Sequence, residues 1–286
     1  MNTIGVEYSD WQGYSLLDSG NHQKLEQFGD YRFIRPEPKA WWRPTLAQSE
    51  WTQAHAIYES EARWKFFNTL PKEWHIPFGQ LNLSLKCFNT SKHLGLFPEQ
   101  SPHWKWIDKK IRASTQPNPS VLSLFGYTGV ASLVAAAAGA HVTHVDASKP
   151  ALEWARHNQK LSNLETAPIR WILEDALKFV QRETRRGKKY NAIILDPPSF
   201  GRGPKGEVWK AESNLLELLE ACYPLLEEPS FVILTLYSLS ASALMIHNLL
   251  ERLPSSHKKT IEIGELALKQ KDTTTILPLS IFGRWF

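Results

Sequence analysis

"VLSLFGYTGVASLVAAAAGAHVTHVDAS", residues 121 to 148, reads as an apolar strand, a turn holding two glycines, a helix of small residues and a second apolar strand that ends on an acid. The strands are assigned to Val121 to Phe125 and His141 to Asp146, and the helix to Gly129 to Ala138. Gly126 and Gly129 are expected to let the backbone turn sharply and come close to a ligand, with free N–H groups at the helix start behind them. Asp146, twenty residues after Gly126, ends the second strand where an acid can bind ribose hydroxyls. A dinucleotide site would carry G-x-G-x-x-G, whereas G-Y-T-G is followed here by Val130 and Ala131, which counts against NAD.

Downstream the alternation continues. A helix over Pro150 to Leu161 precedes a strand at Ile169 to Leu173, and a helix over Ala176 to Arg186 precedes one at Asn191 to Leu195. A helix from about Ala211 to Leu226, a strand at Phe231 to Tyr237 and a helix from Ala241 to Leu253 follow. Apolar strands separated by amphipathic helices predict a parallel sheet covered on both faces. Ile261 to Leu268 and Ile276 to Phe282 have only "KQKDTTT" between them and predict a closing antiparallel hairpin.

Upstream the texture differs. Residues 1 to about 30 are polar and read as an arm with little regular structure, "DYRFIRPEP" as a short strand stopped by Pro36 and Pro38. Trp51, Ala54, Ile57, Tyr58 and Trp64 fall at helical spacing, and His75 to Phe78 and Leu81 to Phe88 alternate as strands. Eight of the twelve tryptophans precede residue 110, so this part is expected to build its core from a few large rings. The chain divides on this reading into a mixed subdomain over 1–100 and an α/β domain over 101–286.

With 42% hydrophobic and 22% charged residues, the 286-residue chain has the balance of a globular protein. Val130 to Ala140 is too short to span a bilayer, and the N-terminus lacks a basic region followed by an apolar core. No membrane partner and a cytoplasmic location are therefore expected. Cys87 and Cys222 lie far apart in unlike contexts, so no metal site is expected. A net charge of +4 permits contact with a polyanion without requiring one.

The remaining chemistry lies in "DPPSFGRGPKGEVWK", residues 196 to 210, directly after Ala192 to Leu195. Two consecutive prolines stiffen a ledge on which the Asp196 carboxylate and the Pro197 carbonyl can accept hydrogen bonds from an exocyclic amino group. Phe200 could stack on a base. The stretch Gly201 to Gly206, with Arg202 and Lys205, reads as a flexible basic loop able to close over a target. His93, His141 and His144 have no triad-like context, and "RETRRGKKY" at 182 to 190 reads as a solvated helix end more than as an RNA contact.

"VLSLFGYTG", "EDA" at 174 to 176 and "DPPSF" together resemble the motifs of class I S-adenosylmethionine-dependent methyltransferases. Over residues 90 to 286 they are similar to the ribosomal-RNA methyltransferases that read F-x-x-T-G and D-P-P-x-F. The resemblance implies a Rossmann-like fold, a mostly parallel seven-stranded sheet with a C-terminal antiparallel hairpin, to which the residues before 100 add the N-terminal mixed α/β subdomain read above. It implies S-adenosylmethionine as cofactor, with Phe125, Gly126, Thr128 and Gly129 at its methionine part, Asp146 and Ala147 at the ribose, Asp175 and Ala176 at the adenine, and Asp196 beside the methyl. "HLGLFPEQ" looks like the segment that folds over the cofactor and adds Gln100. Asp196, Pro197, Pro198 and Phe200 would hold the target base.

The sequence departs from that pattern in two places. Ser123 stands where the family usually has Asp or Asn, and no RNA-binding module is recognisable in residues 1 to 90. Methylation of a pyrimidine at C5 needs a cysteine thiolate. Tyr237 and Ser238 occupy the place of that cysteine, and Cys222 reads as a packed helix residue. The resemblance implies a base of RNA as target and RNA as partner; without such a cysteine a nitrogen or an oxygen is open to methylation, and nitrogen is the expectation. A protein or small-molecule substrate, or a cofactor-binding protein without turnover, stays open.

Overall fold

A computed structural model describes residues 4–59, 63–88, 91–237, 241–253 and 260–286. The chain forms two compact units. One comprises residues 1–7, 103–266 and 280–286, the other residues 8–102 and 267–279.

In the second unit, β2 (Tyr14–Gly20), β3 (Gln23–Phe28) and β4 (Tyr31–Pro36) form an antiparallel meander, after β1 (Ile4–Tyr8) has opened the chain. The helix α1 (Gln48–Trp51) is followed by β5 (Ala56–Glu59), parallel to β4, and β6 (Arg63–Phe66), antiparallel to β5. A separate hairpin joins β7 (Trp74–Phe78) to β8 (Leu81–Leu85). Two expectations fail here: residues 4 to 28 carry three strands instead of an irregular arm, and the apolar spacing of Trp51 to Trp64 serves one helical turn and two strands. Ala56, Tyr58 and Trp64 fit period two as well as helical spacing, and Tyr58 pairs opposite Trp64.

The rings do form the core. Phe33 stacks on Trp74 at 5.2 Å and meets Phe28 and Trp64 edge to face. Arg35 donates to the buried Glu26 at 2.7 and 2.8 Å and, with Lys24, holds that carboxyl down to about 2 despite its burial. The turn of the last hairpin completes this unit. Gln270 accepts from the Ser19 hydroxyl at 3.0 Å and donates to Thr45 at 2.7 Å, and the Lys271 amide donates to the Leu16 carbonyl at 2.8 Å.

The first unit holds α2 (Ser101–Arg112), β9 (Ser120–Leu124), α3 (Val130–Ala137), β10 (His141–Asp146), α4 (Lys149–Leu161), β11 (Ile169–Leu173), α5 (Ala176–Arg185) and β12 (Tyr190–Leu195). It continues with β13 (Phe200–Arg202), β14 (Val208–Lys210), α6 (Ala211–Cys222), β15 (Leu226–Tyr237), α7 (Ala243–Glu251), β16 (Ile261–Lys269) and β17 (Ile276–Trp285). The main sheet has the order β1-β16-β17-β15-β12-β9-β10-β11. Strands β9 to β12 and β15 are mutually parallel, and β17 runs antiparallel to β15. The Rossmann-like sheet therefore has eight strands where seven were expected, because residues 4 to 8 add an edge strand beside β16.

Leu122, Leu124, Val145, Ile193, Leu195 and Leu234 bury the centre of this sheet against Phe179, Leu218 and Ile246 of the covering helices. The order reverses between β9 and β12. Such a switch point opens a crevice at the carboxyl ends of the two strands. Among the described residues no helix is long and apolar enough to cross a membrane.

Candidate active site

Register brings the predicted residues together. Leu124 of β9 lies opposite Val145 of β10 and Leu195 of β12, so Phe125, Asp146 and Asp196 leave the sheet at one level. Asp146 pairs with Leu173, which puts Glu174 and Asp175 one and two residues further along the neighbouring strand.

The turn from β9 into α3 is held by its own amides. Gly126 N–H donates to the Val145 carbonyl (3.2 Å), Tyr127 N–H to Asp146 Oδ2 (2.8 Å) and Gly129 N–H to the Gly126 carbonyl (3.0 Å). Asn158 of α4 donates to the Thr128 carbonyl at 3.0 Å in a buried contact. Positive φ falls on Phe125 (56°), Tyr127 (51°) and Gly129 (86°), so two non-glycine residues carry backbone strain. Gly126 is glycine for want of room: a Cβ there would lie 2.3 Å from the His144 ring. At Gly129 a Cβ would meet Ala155 at 3.0 Å and Trp171 at 3.2 Å. At both glycines the space a Cβ would take is thus filled by protein side chains.

Asp146 binds Tyr127 N–H through Oδ2 and Ser148 N–H through Oδ1, both at 2.8 Å, leaving lone pairs on each oxygen for further donors. Burial raises its carboxyl above the usual range, against the backbone bonds from Ser148, Tyr127 and Ala147. Ala147 is half-buried beside it. Asp175 caps α5 by accepting from Lys178 N–H at 3.0 Å, and Ala176 lies in the core. Ser123 is 1% exposed within β9 and presents almost no surface to a ligand. Gln100 ends a short 3-10 turn of the other unit.

A nucleoside needs an acceptor for its ribose diol, and the Asp146 oxygens have lone pairs left for that purpose. The residues fit a nucleoside cofactor.

The ledge after β12 begins with Asp196, half-buried, whose amide reaches the Leu124 carbonyl at 3.5 Å; Pro197 is buried and Pro198 exposed. The expected flexible loop is instead a hairpin of β13 and β14. Glu207 ties its turn: its carbonyl accepts from Gly203 N–H (2.8 Å), and its carboxylate from Lys205 N–H (2.8 Å) and Lys178 Nζ (2.6 Å). Trp209 was not singled out in the sequence. Its Nε1 donates to the Pro198 carbonyl at 2.7 Å, and its ring lies 4.9 Å from that of Phe125, joining ledge to loop.

Other candidates lie elsewhere or are buried. Cys222 is packed inside α6, and burial pushes its thiol far up; the Cys87 thiol, in the other unit, is pushed up to about 12. Ser238 lies outside the described residues. His144 is fully buried and held down to about 3 by that burial, His93 of the other unit is half-buried and also held down to about 3, and His141 is exposed. The basic run at 182 to 190 precedes β12, at the amino end of the sheet. Arg182 pairs with Glu174, Arg186 with the buried Glu183, and Lys189 donates to the Pro224 carbonyl.

Known proteins resemble this chain in sequence and in fold. The family described as Conserved hypothetical protein 95 matches residues 103–234. A solved S-adenosylmethionine-dependent methyltransferase from Agrobacterium tumefaciens is 42% identical over 100% of this chain and 97% of its own, with a TM-score of 0.94. A structure from Streptococcus mutans at 17% identity, covering 97% of this chain and 76% of its own with a TM-score of 0.74, shares the fold alone. Ribosomal RNA large subunit methyltransferase I of Pseudoalteromonas translucida is 33% identical over 46% of this chain and 33% of its own length. The chain thus spans about a third or less of the length of the first curated relatives it matches.

Proposed function

The chain belongs to the S-adenosylmethionine-dependent methyltransferases, and from that premise we propose that it methylates a base of RNA, ribosomal RNA by analogy with its curated relatives, at a nitrogen atom. The observation that carries the reading is the register of Leu124 with Val145 and Leu195, by which the turn, the ribose-binding acid and the proline ledge leave the sheet side by side. S-adenosylmethionine supplies, when bound, a methyl group on a positively charged sulfur.

The chain's residues divide the remaining work. Phe125, Gly126, Thr128 and Gly129 line the methionine part, Asp146 and Ala147 take the ribose, and Asp175 and Ala176 meet the adenine. Asp196 and the Pro197 carbonyl accept hydrogen bonds from the exocyclic amino group of the target base, aim its lone pair and keep water away. Proline at 197 and 198 fixes these acceptors before the substrate arrives. Nitrogen is favoured over C5 because C5 chemistry needs a thiolate, and both cysteines have thiols that burial keeps protonated.

The test is to incubate the purified protein with S-adenosylmethionine labelled in its methyl group and total RNA from a strain lacking the gene, then to analyse nucleosides. Label in one N-methylated nucleoside is expected. Label in 5-methylcytidine alone overturns the choice of nitrogen, and unlabelled RNA overturns the choice of RNA.

A further inference from the structure

The hairpin of β13 and β14 has two unlike faces. Its pairs are Phe200 with Lys210, Gly201 with Trp209 and Arg202 with Val208. Residues directly opposite, and residues two apart, share a face. Trp209, 5% exposed, therefore fills the inner face, and Phe200, Arg202, Val208 and Lys210 share the outer one.

On that outer face Phe200 is 53% and Val208 52% exposed, and Arg202 and Lys210 are exposed without an ion pair among the described residues. Each cation stands opposite an apolar side chain. The face is fixed: Ala211 N–H donates to the Ser199 carbonyl at 3.0 Å, Trp209 holds Pro198, and Glu207 binds Lys178. Three residues a strand are far too few for a stable protein interface, which buries on the order of 1,200 Å² or more. An exposed ring flanked by cations matches instead an unstacked nucleotide with its phosphates.

Phe200 faces away from Trp209, and Trp209 is the ring that joins the ledge to the cofactor loop. We propose that the outer face of this hairpin is a platform for single-stranded RNA, on which Phe200 stacks with a nucleotide flanking the methylated one while Arg202 and Lys210 hold its phosphates. Phe200 then reads sequence context beside the target and does not hold the target itself. The proposal rests on the RNA reading of the active site.

Fluorescence anisotropy tests it, with a labelled single-stranded RNA of about a dozen nucleotides and the same sequence as a duplex, on the full-length protein. Phe200→Ala should weaken single-strand binding about tenfold, and Phe200→Trp should restore it. Arg202→Gln with Lys210→Gln should make the slope of log affinity against log salt shallower by about 1.4, two phosphate contacts on a single strand. Calorimetric binding of S-adenosylmethionine, unchanged in all variants, shows that they are folded. If the wild type methylates RNA and Phe200→Ala binds the single strand as tightly, the platform is wrong and the methyl transfer stands. A wild type that neither binds nor methylates RNA overturns the RNA reading itself.

Discussion

The imidazole of His144 occupies the space that a side chain at position 126 would need: a Cβ on Gly126 would lie 2.3 Å from Cε1 and 2.5 Å from Nδ1. His144 cannot easily yield, because it is fully buried, bonded to Ser132 Oγ at 2.9 Å and packed on Trp171 at 4.7 Å. Gly126→Ala should therefore cost about 1–3 kcal/mol by overpacking. In the double variant with His144→Ala the added methyl should cost less than it does alone, a coupling that denaturant unfolding of all four proteins would read. Additive costs would show that the ring does not set the glycine.

Asp146 should give cofactor binding a visible pH dependence. Its carboxyl is raised by burial, so acidification should protonate it, and weaken binding, above the pH at which an ordinary aspartate titrates, about 3.9. Asp146→Asn should lower affinity for S-adenosylmethionine about 10- to 100-fold, the worth of hydrogen bonds to a charged group, and remove that pH dependence. Calorimetric titration of both proteins across the acid range decides it; parallel pH profiles would exclude Asp146 as the ribose acceptor.

His144 is held from 6.5 down to about 3 by burial. The folded state keeps it neutral while the unfolded chain takes up a proton near 6.5, so unfolding binds the extra proton between those values. Its contribution to stability is whole above pH 6.5 and is lost as pH falls, by about 1.4 kcal/mol per pH unit. His144→Phe should flatten the acid slope of unfolding free energy by that amount, and an unaltered slope would show that the proton is bound elsewhere.

Trp209→Phe keeps a ring near Phe125 and removes the donor to Pro198. Stability should fall by about 1 kcal/mol, and kcat should fall several-fold with the KM for cofactor little changed, because the ledge loses its anchor while the loop keeps its packing. Trp209→Ala should cost about 3–5 kcal/mol through the cavity it leaves. A Phe variant with wild-type kcat would limit Trp209 to a packing role.

Asp196→Ala should reduce methyl transfer at least about a hundredfold by losing the aim of the attacking atom, with calorimetric affinity for S-adenosylmethionine within about twofold. Retained turnover would remove Asp196 from the reaction.

The α/β half was legible because its signals are local and agree. Apolar runs of five or six residues alternate with amphipathic helices, and the acids Asp146, Asp175 and Asp196 each stand at or just after a strand end. Sequence spacing could not show what sits across from a loop. Gly126 owes its identity to His144, 18 positions later, and the Thr128 carbonyl is held by Asn158, whose one signal was a polar residue at an apolar position of α4. The N-terminal half misled because Trp51 to Trp64 suits two periods, and the choice between them depends on strand partners far along the chain. The Gly-rich stretch after Asp196 looked mobile from composition; the bonds of Glu207 and Trp209 that fix it are tertiary.

The hydrogen bonds of Gln270 and Lys271 to Ser19, Thr45 and Leu16 impose an order on biosynthesis. The unit built from residues 8–102 also needs residues 267–279, so on the ribosome it is begun first and completed only after all of residues 103–266 have emerged. The α/β fold is completed later still, because β17, which pairs with β15 inside the main sheet, ends at Trp285.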